Sequence, residues 1–93
     1  MTTSVVYYSG ELRTESTHLQ SGETYITDAP TDNEGKGEAF SPTDLIATGL
    51  ANCMLTIMGI VARRKSLTIE GTKAEVTKIM DKDPRRVSEI RID

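Results

Sequence analysis

The chain has 93 residues, 37% of them hydrophobic, and a net charge of −3. That allows one small domain with a sparse core, and the thinly spread basic residues give no clustered surface for nucleic acid. One cysteine excludes an intrachain disulfide, and one cysteine with one histidine cannot fill a metal coordination shell.

The first eight residues, Met-Thr-Thr-Ser-Val-Val-Tyr-Tyr, hold no basic stretch leading into an apolar run. No secretory signal is expected, and a reducing cytoplasm is the expected compartment. Val5 to Tyr8 is a β-branched and aromatic run that reads as a strand, followed by a turn at Ser9-Gly10. Glu11 to Leu19 is polar but rich in Thr and Ser, and Gln20-Ser21-Gly22 closes it. Glu23 to Thr27 resumes the strand pattern, so the N-terminal third is expected to be an antiparallel meander. His18, the single histidine, falls on a polar strand and reads as a surface residue, although a Cys-His pair is conceivable. Asp28 to Gly37 carries Pro30, Asn33, Gly35 and Gly37 without a large apolar residue, and is expected to be a mobile loop rather than an ion site.

A helix start is written at Ser41-Pro42-Thr43-Asp44. Ser41 is a capping residue, Pro42 suits the first helical position, and Asp44 complements the helix dipole. Leu45 to Ala62 holds no charged residue, and Arg63-Arg64-Lys65 supplies cations where a helix C-terminus favours them. Eighteen uncharged residues can span a membrane. The soluble reading is preferred, because Thr48, Gly49, Asn52, Thr56 and Gly59 interrupt the run and the helix is capped as in a soluble fold. A helix apolar nearly all round is then the central helix of a core. Thr48, Asn52 and Thr56 recur every four residues and form one polar stripe, either a tight helix contact or the polar wall of a small pocket beside Cys53.

After the helix, Leu67 to Met80 returns to strand composition, with a bend or bulge at Gly71. Asp81-Lys82-Asp83-Pro84 is a turn, and Val87, Ile90 and Ile92 begin a partner strand, which makes a β-hairpin. The apolar alternation still runs at Asp93, so residues 1–93 are expected to be a single, C-terminally incomplete domain. The fold class is α+β: a strand meander, one long central apolar helix and a hairpin.

Cys53 taken alone carries little information, since a lone cysteine in an apolar helix is more often a small hydrophobe than a nucleophile. Its setting adds more. Phe40-Ser-Pro-Thr-Asp-Leu-Ile-Ala-Thr-Gly-Leu-Ala-Asn-Cys53 resembles the helix that bears the reactive cysteine in the OsmC/Ohr family. The shared features are Pro42, Asp44, the apolar turn Leu45-Ile46-Ala47 and the small residues before Cys53. Leu12-Arg13, the Gly22 turn, Thr27-Asp28-Ala29-Pro30, the strand near Val76 and Asp83-Pro84-Arg85-Arg86 are similar as well, so the resemblance covers essentially the whole chain.

The resemblance implies an intertwined homodimer with two long central helices. It implies a thiol-dependent peroxidase for organic hydroperoxides in oxidative-stress defence, with Cys53 as the peroxidatic nucleophile that becomes a sulfenic acid. It places the family's arginine at Arg13, to favour the Cys53 thiolate and polarise the peroxide oxygen. In the hydroperoxide-resistance branch a glutamate holds that arginine. Thr43 occupies its position here, and Asp44 is the candidate replacement. The family's resolving cysteine lies on a later helix, so the sulfenic acid is expected to need an external thiol reductant and no cofactor. No nucleic acid and no membrane are expected as partners. The loss of the glutamate and of the second cysteine supports an alternative, a non-catalytic dimeric domain or small-ligand binding module on the same scaffold.

Overall fold

The computed structural model describes residues Met1–Asp93, which divide into two compact units, Met1–Pro42 and Thr43–Asp93. The architecture is the expected α+β arrangement of antiparallel strands, one long helix and a hairpin.

The first unit is a meander of β1 (Ser4–Gly10), β2 (Arg13–His18) and β3 (Thr24–Asp28), in that spatial order. Its first turn is not at Ser9-Gly10. β1 continues through Gly10, and the two-residue connection is Glu11-Leu12, with φ of 54° and 63°. A primed hairpin turn needs two such left-handed residues because its twist matches that of the strands. Neither residue is the glycine or asparagine that usually fills the position, and each costs on the order of 1 kcal/mol in backbone strain. Neighbouring groups hold them there. Lys36 pairs with Glu11 at 2.9 Å, the Leu12 amide donates to the Tyr8 hydroxyl at 3.2 Å, and the Ala29 amide donates to the Leu12 carbonyl at 3.0 Å. The second turn closes at Gly22 as expected, with φ of 77° and its amide on the His18 carbonyl.

The segment after β3 holds local turns. Thr31–Asn33 forms a short 3-10 turn, and the amides of Asn33 and Gly35 both donate to the Pro30 carbonyl at 2.9 Å. A β-carbon on Gly35 would stand 1.7 Å from the Ala29 carbonyl oxygen, so only glycine fits this close approach. Asp28, at the start of the segment, is buried, and the Glu38 amide returns to its Oδ2 at 3.1 Å.

The second unit holds α1 (Pro42–Arg64) and a hairpin of β4 (Val76–Asp81) and β5 (Arg86–Ile92). Pro42 opens the helix and Arg63 and Arg64 fill its last turn, as read from the sequence. The helix ends in a Schellman motif. Ser66 takes φ of 56°, its amide donates to the Arg63 carbonyl, and the Leu67 amide reaches back to the Ala62 carbonyl at 2.8 Å. This capping corrects the strand expected at Leu67-Thr68-Ile69, because Leu67 is spent on closing the helix and regular pairing begins only at Val76. In the hairpin Val76 faces Ile92 and Lys78 faces Ile90, with a bulge between Ile79 and Met80.

Within the single chain, much of the apolar surface of the helix is uncovered. Its buried residues are Ala47, Ala51 and Ala62, while Ile46, Leu50, Met54, Ile57, Met58, Ile60 and Val61 are exposed. By length and composition alone the helix could cross a membrane, yet only 17% of its most apolar stretch is buried.

Candidate functional site

Cys53 lies near the middle of α1 and is an exposed free thiol. That departs from the usual burial of a lone helical cysteine. Its position follows from helix periodicity. Ile46, Leu50, Cys53, Ile57 and Ile60 are spaced by four, three, four and three, so all five share one face of the helix. The thiol therefore stands in an apolar seam. On the polar stripe, Thr56 turns its hydroxyl back onto the Asn52 carbonyl at 2.8 Å and spends its donor on the helix itself.

Arg13 opens β2 in the first unit. Its Nε donates to Asp28 Oδ1 at 2.7 Å and its Nη2 to Asp28 Oδ2 at 2.8 Å, a two-pronged pair across the β2–β3 ladder. Nη2 also donates to Glu38 at 3.0 Å. Asp28 has 1% of its side chain exposed, against 27% for Arg13 and 65% for Glu38. The Glu38 amide donates to Asp28 Oδ2 at 3.1 Å, so the buried carboxylate has donors on both oxygens. The bonds from Arg13 hold the Asp28 carboxyl below the usual carboxylate range, although burial acts in the opposite direction. Asp28 in turn raises the Arg13 guanidinium above its ordinary value. Nη1 of Arg13 takes no part in these bonds. Arg13 also lines an open cleft of about 490 Å³ with Ser9, Glu11, Glu15, Ile26 and Lys36.

Asp44 sits in the first turn of α1, where Lys78 of β4 pairs with it at 2.9 Å and also donates to the Thr43 hydroxyl at 2.7 Å. The carboxylates that hold Arg13 are thus Asp28 and Glu38, and the cation that holds Asp44 is Lys78. Arg13 belongs to the first unit, and Asp44 and Cys53 to the second. His18 is exposed, with its Nδ1 2.6 Å from the Ser21 hydroxyl, and is engaged in the β2–β3 turn.

Sequence reasoning gave no site role to Asp28, Glu38 or Lys78. Asp28 had a readable signal, since strands folded about the Gln20-Ser21 turn pair Arg13 with Asp28 in direct register. Glu38 had none, because its place depends on the path of the loop.

The chain was compared with known families, curated proteins and solved structures. A family model described as OsmC-like protein matches residues 35–93, a stretch that includes Thr43, Asp44, Cys53 and Lys78. No curated protein matches the chain. Among solved structures, a crystal structure from Psychrobacter arcticus 273-4 is described as an osmotic stress induced and detoxification response protein. It is 67% identical with a TM-score of 0.96, over 99% of this chain and 67% of that one.

Proposed function

Because the chain belongs to the OsmC-like protein family, we propose that it is a thiol-dependent peroxidase that reduces organic hydroperoxides in oxidative-stress defence, with Cys53 as its nucleophile. The observation that carries this reading is that Cys53, inside the matched region, is a free and exposed thiol on a helix face otherwise made of aliphatic side chains. An alkyl hydroperoxide presents an apolar body and a polar O–O group, which suits such a setting. The description of the Psychrobacter protein as an osmotic stress induced and detoxification response protein agrees with a protective role.

In this mechanism the Cys53 thiolate attacks the terminal oxygen of the hydroperoxide. The S–O bond forms as the O–O bond breaks, and the alkoxide takes up a proton and leaves as an alcohol. Cys53 is oxidised to sulfenic acid and the peroxide is reduced. Arg13 favours the thiolate and stabilises the charge that develops on the departing oxygen. Two external thiol equivalents return Cys53 to the reduced state. The first forms a mixed disulfide and releases water, and the second releases the enzyme thiol. Asp44, clasped by Lys78, fixes the first turn of the helix that bears the cysteine. The bare face of α1 supports a homodimer, and a reducing cytoplasm is the compartment in which a single reactive thiol persists.

A second reading is favoured by one observation. Arg13 already has two carboxylates, Asp28 and Glu38, so its positive charge is locally offset. A non-catalytic dimeric domain or small-ligand module would tolerate that offset. The rate of Cys53 sulfenic acid formation with cumene hydroperoxide separates the two. The peroxidase reading expects a rate well above that of free cysteine, and loss of it in Arg13→Ala. A rate equal to that of free cysteine leaves the non-catalytic reading.

A further inference from the structure

The peroxidase reading requires a guanidinium held in one place, and the sequence offers Thr43 and Asp44 where the related branch has its glutamate. Residue 43 is a threonine engaged by Lys78, and Asp44 beside it is paired with the same lysine. We infer that Asp28 is the positioning residue for Arg13, a role that rests on the catalytic use of Arg13 proposed above. Three features argue for it.

The first is geometry. Asp28 meets Arg13 with both oxygens, at 2.7 and 2.8 Å, on the Nε and Nη2 edge. A planar fork bound on two atoms cannot swivel, and the edge that carries Nη1 is left for other work. The second is rigidity. Asp28 is buried, the β2–β3 ladder places it directly opposite Arg13, and its own amide donates to the Phe40 carbonyl at 3.1 Å. The anchor is thus fixed through its backbone. The third is the contrast with Glu38, which touches Nη2 alone and is largely exposed. An exposed ion pair of that kind contributes little and is screened by salt. Asp28 sets the position of the guanidinium, and Glu38 trims its charge.

Two consequences have opposite signs. Asp28→Asn frees Arg13 to swivel, which weakens its support of the thiolate. The same substitution also removes a negative charge, which on its own would favour the thiolate. The pH at which Cys53 is half-alkylated by iodoacetamide therefore rises if positioning dominates and falls if Asp28 acts only as a charge.

The test uses the full chain, with circular dichroism to confirm the fold of each variant. Asp28→Asn is expected to slow Cys53 oxidation by cumene hydroperoxide about ten- to a hundredfold, as small misplacements of a catalytic group do. It is also expected to move the alkylation profile to higher pH. In an Arg13→Ala background it should add no further loss, because Asp28 acts through Arg13. Arg13→Lys gives a second arm with Asp28 intact, since lysine keeps the charge and loses the fork. A rate near that of Arg13→Ala supports the inference, and a rate near wild type overturns it. An unchanged rate or a downward pH movement in a folded Asp28→Asn also overturns it while the peroxidase reading stands. A wild-type thiol no faster than free cysteine, or an Arg13→Ala variant as fast as wild type, overturns the peroxidase reading and this inference together.

Discussion

At the scale of single residues, the Arg13–Asp28 pair shows how a charge survives almost out of reach of water. A buried carboxylate is costly unless cations and donors surround it, and Asp28 has Arg13 on both oxygens and the Glu38 amide on one. The pH dependence follows from the direction of its shift. In the unfolded chain the Asp28 carboxyl titrates near 3.8, and in the folded chain it titrates lower because Arg13 hydrogen-bonds its charged form. The folded state therefore binds this proton less readily than the unfolded state. The stabilisation is complete above the unfolded value and is lost as pH falls through the folded one. Urea unfolding midpoints of the wild type are expected to hold between about pH 5 and pH 7 and to drop below about pH 4, the ordinary carboxylate range. Asp28→Asn should start from a lower midpoint at neutrality and lose less on acidification. Parallel curves for the two proteins would show that Asp28 is not the group responsible.

At the scale of elements, α1 was legible at both ends for physical reasons. Pro42 fits only the first turn, and the uncharged run from Leu45 to Ala62 must stop where Arg63 and Arg64 begin. Its cap was not legible, because Ser66 at φ 56° is an uncommon choice for a left-handed position. Ser66→Gly is expected to raise stability by about 0.5–1 kcal/mol, since glycine reaches this conformation without steric cost. Thermal unfolding followed by circular dichroism measures the change, and a lower melting temperature would mean that the serine side chain contributes more than its backbone costs. The Glu11-Leu12 turn was misread for a related reason. Ser9-Gly10 has turn composition, but tertiary bonds from Tyr8, Lys36 and Ala29 hold two ordinary residues in the left-handed region instead. The candidate site divides in the same way. Cys53 and Arg13 stand on regular elements and could be placed by resemblance and spacing. Glu38 and Lys78 meet their partners through loop path and packing, which no local pattern encodes.

At the scale of the whole molecule, the buried apolar residues are three alanines, and no Leu, Ile, Val, Met or Phe is among them. Burial of a large aliphatic side chain contributes about 1.5–3 kcal/mol, and a chain that leaves Leu55, Val76 and Ile79 half-buried and Ile46, Leu50 and Ile57 exposed realises only part of that driving force. The exposed seam Ile46, Leu50, Ile57 and Ile60 is the surface on which that force remains to be used. Its four-three spacing is the pattern by which two helices interlock, and Thr48, Asn52 and Thr56 dilute the lipid-facing alternative. A second copy of the chain that covers the aliphatic residues of this seam, and leaves Cys53 open to the hydroperoxide, is therefore the expected state. Sedimentation equilibrium without detergent should give twice the chain mass of 10.2 kDa. Ile57→Asp places an unpaired carboxylate in the seam, where it would have to be desolvated, and should weaken association by several kcal/mol. It should also lower the melting temperature, because folding and association are linked when the core is shared. A soluble wild-type monomer of unchanged stability in Ile57→Asp would remove the dimer from this picture. Recovery of the wild-type chain only with detergent or lipid would instead assign the seam to a membrane.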